Sequence, residues 1–204
     1  YARGFSDVFP DEVVAEAAAA PDRVRAEDWE GRRDLTGLRL VTIDGEDARD
    51  FDDAVWVERL DGHGRERGGY RLVVAIADVS HYVRPGRALD AEALRRGTSV
   101  YFPGAVLPML PERLANGICS LNPEVERLCV VADLSIDPAG DTVASEFYPA
   151  VMRSAARCTY GEVARVLDGE SVPHREFLRP DFECMAELQE VLAARPHLAQ
   201  LALF

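Results

Sequence analysis

The residues with the clearest chemical potential are the carboxylates of an acidic stretch at 44–53 (DGEDARDFDD). Its ten residues hold six acids and one arginine, so the local charge is −5. Carboxylates this close together raise one another's pKa and repel unless a cation neutralises them. Mg²⁺ and Mn²⁺, which prefer oxygen ligands, are the natural counterions. Four or more carboxylates are also what a two-metal phosphodiesterase needs to hold its cations about 3.5–4 Å apart.

Other interpretations of the acidic stretch differ in how well its spacing fits them. A solvated surface loop is the default for an arbitrary acidic run. An EF-hand does not fit, because that motif needs alternating acids, a glycine at position six and a glutamate at position twelve. An aspartyl-phosphate phosphatase needs its D-x-D directly after an apolar strand, whereas residues 50–52 follow the polar residues 46–49. The D-x-D of a sugar-nucleotide transferase stays compatible with the pattern, although three letters have little specificity.

The elements predicted around the acidic stretch place its carboxylates at strand ends. Alternating and β-branched residues predict one strand over 38–43, which enters the stretch, and another over 54–58, which leaves it. A glycine-rich hairpin loop at 62–69, interpreted as a surface turn, leads to a nearly all-apolar strand over 70–77. The carboxylates are therefore anchored by strands rather than carried in a tail.

The rest of the chain predicts helices, a further hairpin and one long loop. Pro10 is predicted to open a helix that ends at Pro21. Four prolines within 98–126 predict a long ordered loop with at most a short helical turn, of a kind that is often functional. Helical spacing covers 88–96, 160–167 and 181–192, and strands over 128–136 and 142–148 form the hairpin. Together these elements predict an α/β (α+β) domain with a mixed, mainly antiparallel sheet flanked by helices.

The composition of the chain excludes several classes of function. The chain has 204 residues, 48% of them hydrophobic, so it can bury a sizeable core. Its net charge of −13 argues against a protein that binds nucleic acid through a large excess of positive charge. It does not exclude nucleic acid as a substrate, because a cation-dependent site that cuts nucleic acid is itself built from acidic residues. No apolar run approaches the roughly 18 residues of a membrane span. Zinc is not expected, because no C-x-x-C pair occurs among Cys119, Cys129, Cys158 and Cys184, which read as reduced core thiols of a cytoplasmic protein.

Five blocks of residues carry a resemblance to a known family. They are 42–55 (TIDGEDARDFDDAV), 74–83 (VAIADVSHYV), 96–103 (RGTSVYFP), 107–111 (LPMLP) and 119–123 (CSLNP). In this order they closely resemble the RNB catalytic domain of the ribonuclease II/ribonuclease R family, with a greater similarity to ribonuclease R. The resemblance covers about residues 32–165, and residues 166–204 follow the family only loosely. It implies a processive 3′→5′ exoribonuclease that needs Mg²⁺ and releases nucleoside 5′-monophosphates.

The resemblance assigns roles to four of the acids. The family's acidic site positions fall on Asp44, Asp50, Asp52 and Asp53. It implies that Asp44, Asp50 and Asp53 bind metal, with Mn²⁺ as a possible substitute for Mg²⁺, and that Asp52 is indispensable to the chemical step. In the implied mechanism two metals activate water and stabilise the leaving 3′ oxygen. The other two acids, at 46 and 47, are interpreted as supporting charge.

The resemblance also assigns two tyrosines to RNA. Tyr101 matches the family tyrosine that stacks on a nucleotide near the RNA 3′ end, as aromatic side chains commonly do with single strands. Tyr160 matches another family tyrosine, which lines the RNA path. Asp78 and His81 lie in a matching block and are interpreted as supporting residues, since a two-metal site can generate its own hydroxide without a histidine base.

The resemblance further divides the chain in two. Residues 1–34 are predicted to be an acidic helical connector from an N-terminal RNA-binding region, and residues 35–204 the N-terminal portion of the RNB domain. We expect a fragment, because nothing here matches the arginine and the base-clamping aromatic of the family's second half or its OB-type domains. The expected partner is the 3′ end of single-stranded RNA, bound by a monomer away from any membrane. The alternative is that the isolated piece is an inactive RNA-binding or partner-docking module.

Overall fold

The fold is known here from a computed structural model, which describes residues 6, 8–61, 68–102 and 105–195. Its strands are β1 (Arg33–Asp34), β2 (Val41–Asp44), β3 (Asp53–Leu60), β4 (Gly69–Ala77), β5 (Val100–Phe102), β6 (Ala105–Leu107), β7 (Glu126–Ile136), β8 (Thr142–Arg153) and β9 (Ala156–Thr159). Its α-helices are α1 (Asp11–Ala19), α2 (Val79–Tyr82), α3 (Ala88–Arg96), α4 (Tyr160–Leu167) and α5 (Arg179–Ala193). Shorter helical turns occur at Ala26–Trp29, Arg113–Ile118 and Glu176–Leu178.

Seven of these strands form one sheet in the order β1-β8-β7-β4-β3-β2-β9. The neighbours from β8 to β2 all pair antiparallel, whereas β1 joins β8 and β9 joins β2 in parallel. The predicted α+β fold with a mixed, mainly antiparallel sheet is therefore confirmed. The predicted strand over 38–43 is shorter and shifted, since β2 begins at Val41 and includes Asp44.

Each face of the sheet has its own hydrophobic core, because successive residues of a strand point to opposite faces. On one face, Val73 and Ala75 of β4 pack in a core that also contains Phe51 from the acidic stretch. On the other face, Leu72 packs with residues of α5 such as Phe182. Phe51 is only 4% exposed, so the acidic stretch is tied to the core at its centre.

The described part of the predicted connector packs onto the domain. Val13 and Ala17 of α1 are buried in a cluster with Leu89 of α3 and Leu114. Pro10 does not open the helix as predicted but occupies the capping position before it, where its lack of an N–H is equally harmless. Whether residues 1–34 lead from an RNA-binding region stays a prediction.

The long loop and the last sheet strand differ from the sequence-based prediction. Residues 98–126 contain the short hairpin β5–β6 besides a helical turn, and three-residue strands are too short to show a period. Strand β9 was not predicted either, because its four residues become a strand only by pairing with β2. Most of the glycine-rich loop, residues 62–67, lies outside the described residues. None of the helices that the structure describes is both long and apolar enough to cross a membrane.

Candidate active site

Asp44 lies where a parallel strand pair meets the start of a helix. It is the last residue of β2 and lies beside Thr159 of β9. Thr159 caps α4: its hydroxyl accepts the Glu162 N–H at 3.2 Å, and the Glu162 carboxylate accepts the Thr159 N–H at 3.0 Å. Tyr160, half-exposed, is the first residue of α4. The fold thus brings two predicted site residues, Asp44 and Tyr160, to the same end of the strand pair β2–β9.

Asp52 and Asp53 are held at the end of the central strand β4. Asp53 begins β3 and lies opposite Ile76 of β4. The next residue of β4, Ala77, donates its N–H to the Asp52 carbonyl at 2.8 Å. Both aspartate side chains are exposed, so the backbone is fixed while the carboxylates face solvent.

Phe51 is anchored by residues of the block at 119–123. Its N–H donates to the Ser120 hydroxyl at 2.9 Å, and its carbonyl accepts the Leu121 N–H at 2.8 Å. The Ser120 carbonyl accepts in turn from Nε of the buried Arg127 at 2.8 Å. Since Phe51 is drawn into the core in this way, the acids on its two sides are left at the surface.

The loop between Asp44 and Asp50 is held by an arginine of the neighbouring strand β9, which the sequence analysis missed. Arg157 of β9 donates through Nη2 to the carbonyls of Glu46 at 2.7 Å and Ala48 at 3.2 Å. Its guanidinium carbon also lies 5.0 Å from the centre of the Phe51 ring. No local sequence signal marks this residue, because only the pairing of β9 with β2 places it there.

Tyr101 reaches the acidic cluster from the hairpin β5–β6. Its hydroxyl donates to the Asp50 carboxylate at 3.2 Å. The side chain is 65% exposed, so most of the ring is available to a ligand. The structure therefore places Tyr101 at the cluster of the four aspartates.

The aspartates influence one another's protonation. Burial, and then the charges of Asp53, Asp50 and Asp52, raise the pKa of Asp44, and Arg157 offsets this only in part. Desolvation by the surrounding protein, followed by the charges of Asp50 and Asp53, raises the pKa of Asp52, although its side chain is exposed. The protein packed around Asp53 raises its pKa as well. The four carboxylates thus lie within electrostatic reach of one another, and none of them pairs with an arginine or histidine of the described residues.

A cation site is chemically consistent with this donor set, although its ligands are not drawn together. Carboxylate oxygens are the ligands that Mg²⁺ and Mn²⁺ prefer. Within the described ranges, however, no three His, Cys, Asp or Glu side chains converge closely enough to hold a metal ion. The type of donor therefore fits a hard divalent cation, and the assignment of Asp44, Asp50 and Asp53 as its ligands stays a prediction.

Asp78 and His81 belong to a separate, mostly buried ion-pair network, here called the Asp78 network. Asp78 accepts from the Ser80 hydroxyl at 2.7 Å and from Nη2 of Arg32. His81 lies between Arg32, at 3.5 Å, and the carboxylate of buried Asp28, at 3.1 Å. Among the described residues these side chains bind one another and not the acidic cluster, and their supporting role stays a prediction.

Comparison with known proteins finds consistent similarity. A family model described as the RNB domain matches residues 32–200. Ribonuclease R of Escherichia coli (strain K12) is 54% identical over 163 residues, which are 80% of this chain and 19% of that protein. Ribonuclease R of Vibrio cholerae is 49% identical over 191 residues, 89% of this chain and 23% of that protein. The chain thus spans about a fifth of the length of these curated relatives.

A solved structure shows the same similarity in three dimensions. RNase R of Mycoplasma genitalium in complex with ribose-methylated single-stranded RNA aligns with a TM-score of 0.83 and 34% identity. The alignment covers 92% of this chain and 29% of that one. The same enzyme in complex with double-stranded RNA aligns with a TM-score of 0.84.

Proposed function

The chain belongs to the RNB-domain family, and we propose that the whole protein is a 3′→5′ exoribonuclease that hydrolyses single-stranded RNA to nucleoside 5′-monophosphates. The observation that carries this proposal is the cluster of Asp44, Asp50, Asp52 and Asp53 where β2 ends and β3 begins. None of the four forms a salt bridge among the described residues; desolvation by the surrounding protein and the neighbouring acids raise the pKa of Asp44 and Asp52, and Arg157 offsets this at Asp44 only in part. Such a site favours an external cation, of the kind that two-metal phosphodiester hydrolysis uses.

The four aspartates have two different roles, cation binding and the chemical step. Asp44, Asp50 and Asp53 hold Mg²⁺, with Mn²⁺ as a substitute. A bound divalent cation supplies positive charge to the phosphodiester and lowers the pKa of water. Asp52 acts in the chemical step: its backbone is held by the N–H of Ala77, and its exposed carboxylate is free to orient water or substrate.

Two tyrosines frame the RNA 3′ end. Tyr101 offers a largely exposed ring whose hydroxyl donates to Asp50, and the half-exposed Tyr160 follows Thr159, which pairs with Asp44. Stacking of bases on aromatic rings binds single strands without regard to sequence. The Mycoplasma genitalium RNase R complexes with single-stranded and double-stranded RNA support RNA as the ligand. Processive degradation is part of the same proposal.

The activity can be tested directly on the full-length protein. Incubation with 5′-labelled single-stranded RNA and Mg²⁺ should shorten the RNA from its 3′ end and release nucleoside 5′-monophosphates, identified by chromatography. EDTA should stop the reaction, and Mg²⁺ or Mn²⁺ should restore it. DNA of the same sequence should stay intact. Internal cleavage of the RNA, or an activity that EDTA does not affect, would contradict the proposal.

The role of Tyr101 can be separated from catalysis. In an Asp52→Asn background, Tyr101→Ala should weaken binding of single-stranded RNA by about 1–3 kcal/mol, because a base loses its stacking partner. Tyr101→Phe keeps the ring and loses only the hydrogen bond to Asp50, so its affinity should stay close to that of the background. Fluorescence anisotropy with labelled RNA measures both. Equal affinities of the alanine and phenylalanine variants would remove stacking from the proposal.

We further infer a cytoplasmic protein. All four cysteines are free, and burial raises the pKa of Cys119 and Cys129 to about 12, so these thiols stay protonated core residues. This usage supports a reducing compartment. That the protein is a monomer stays a prediction.

A further inference from the structure

Arg157 contacts the acidic loop through backbone carbonyls and not through a carboxylate, so the contact is not a salt bridge. It lies on β9 opposite Thr42 of β2, just below the level of Asp44. One terminal nitrogen of its guanidinium is shared between the carbonyls of Glu46 and Ala48, and the group lies over the face of Phe51. The side chain therefore touches the loop on both sides of its midpoint.

The guanidinium is committed to backbone atoms rather than to a carboxylate. Arg157 makes no ion pair with any acid that the structure describes, although it lies close enough to Asp44 to lower that residue's pKa. Its Nε is buried without an acceptor among the described residues. A partly buried cation without a salt bridge is costly, so its presence beside the acids calls for a structural explanation.

Neighbouring groups hold Arg157 in this position. Arg175 donates to the Arg157 carbonyl and also lies 3.3 Å from the Glu162 carboxylate. Glu162 belongs to the box that caps α4. The arginine is thus fixed to the same strand and helix that place Thr159 beside Asp44, and the loop is fixed to the arginine.

We propose that Arg157 is a positioning residue, which sets the path of residues 45–49 through their carbonyls and so fixes Asp44 and Asp50, at the two ends of this loop, for cation binding. The inference rests on the proposed function of the aspartates. Arg157 itself touches neither substrate nor cation in this role. It acts through the loop.

A charge effect and a shape effect predict opposite results at this residue. If Arg157 acted through its positive charge alone, removing that charge would strengthen cation binding, because the carboxylates would then carry more uncompensated charge. If it acts by holding two carbonyls and stacking on Phe51, any substitution that loses this geometry weakens cation binding. Lysine keeps the charge, but its compact ammonium lacks the planar fork.

The test measures Mn²⁺ binding to the full-length protein by isothermal titration calorimetry. Arg157→Lys and Arg157→Met should each bind Mn²⁺ about 10-fold or more weakly, as is typical when a group supporting metal ligands is lost. The matched controls Arg165→Lys and Arg165→Met alter an exposed arginine of α4 that pairs with Glu170, and they should bind like the wild type. High Mn²⁺ concentrations should restore RNA hydrolysis in the Arg157 variants.

The outcomes separate this inference from the proposed function. Mn²⁺ binding by Arg157→Met as tight as that of the wild type, or tighter, would overturn the positioning role. If Arg157→Met fails to fold by circular dichroism, Arg157→Lys decides, and unchanged binding by it has the same consequence. A wild-type protein that binds Mn²⁺ but does not degrade RNA would overturn the exoribonuclease proposal while leaving the Arg157 comparison intact. Absence of Mn²⁺ binding in the wild type would overturn both.

Discussion

Two groups of carboxylates lie at the end of strand β4, and the protein shifts their pKa values in opposite directions. In the Asp78 network, burial raises the pKa of Asp78, but hydrogen bonds from Ser80 and Arg32 outweigh it and hold the pKa below its usual value. In the acidic cluster, desolvation by the surrounding protein and neighbouring acids raise the pKa of Asp44 and Asp52. The two groups meet at the end of β4. Its last residue, Ala77, donates its N–H to the Asp52 carbonyl, and the next residue in the chain is Asp78.

The difference separates a structural carboxylate from one kept for a ligand. Asp78 has an internal cation, Arg32, so its charge contributes to the fold. The acids of the cluster form no salt bridge with the described residues, and the nearby Arg157 offsets the raised pKa of Asp44 only in part, so their repulsion opposes folding and favours any cation that binds them. A cluster of this kind is stable only because strong anchors, such as the buried Phe51, hold its backbone.

The largest expected effect is on catalysis, at the cluster. Asp52→Asn in the full-length protein should reduce RNA hydrolysis by at least about 1000-fold, because an interaction needed in the transition state is lost, while RNA binding stays nearly intact. Single-turnover hydrolysis and anisotropy measure the two quantities. Asp47→Asn, which removes the same charge from the same loop, should have a much smaller effect. Normal turnover by Asp52→Asn would remove the cluster from the chemistry.

The next effect is on stability, in the Asp78 network. Arg32→Met leaves Asp78 buried and unpaired, which should lower the free energy of unfolding by about 3–5 kcal/mol. Arg165→Met, which breaks the exposed pair with Glu170, should cost less than about 1 kcal/mol. Urea denaturation at neutral pH compares them. A loss no greater than that of the control would show that the network contributes little, and the contrast with the cluster would disappear.

The smallest effect is a gain in stability on neutralising the cluster. The pKa of Asp44 is higher in the folded than in the unfolded chain, so the folded state binds more protons and this group's contribution to stability falls as pH rises through the folded pKa. At pH 7, without divalent cations, Asp44→Asn should therefore raise the urea midpoint. The gain should shrink as the pH falls through the raised folded pKa of Asp44, and it should be lost below the ordinary aspartate pKa of about 4.

Asp78→Asn is the matched control for the direction in which the urea midpoint changes. Its pKa is lowered in the folded state, so its contribution is present at neutral pH and is lost as the pH falls through the folded pKa. The substitution should therefore lower the urea midpoint at pH 7. The same sign for Asp44→Asn and Asp78→Asn would refute the contrast between the two regions.

Much of the fold could be predicted because its elements have strong local patterns. The apolar run of β4 and the helix ending at Gly97, whose φ of 75° suits glycine, are readable from neighbouring residues alone. The hairpin β5–β6 and strand β9 were missed because short strands have no period of their own. Their existence depends on partners elsewhere in the chain.

What the sequence determined by itself is the cluster of aspartates between two strands, along with the family that its motif blocks indicate. What only the tertiary structure decided is how that cluster is held. Arg157 reaches the loop because β9 pairs in parallel with β2, and Ser120 reaches Phe51 across the core. Local periodicity reveals strands and helices, but the pairing of distant segments follows from packing the whole core, which no single stretch of sequence encodes.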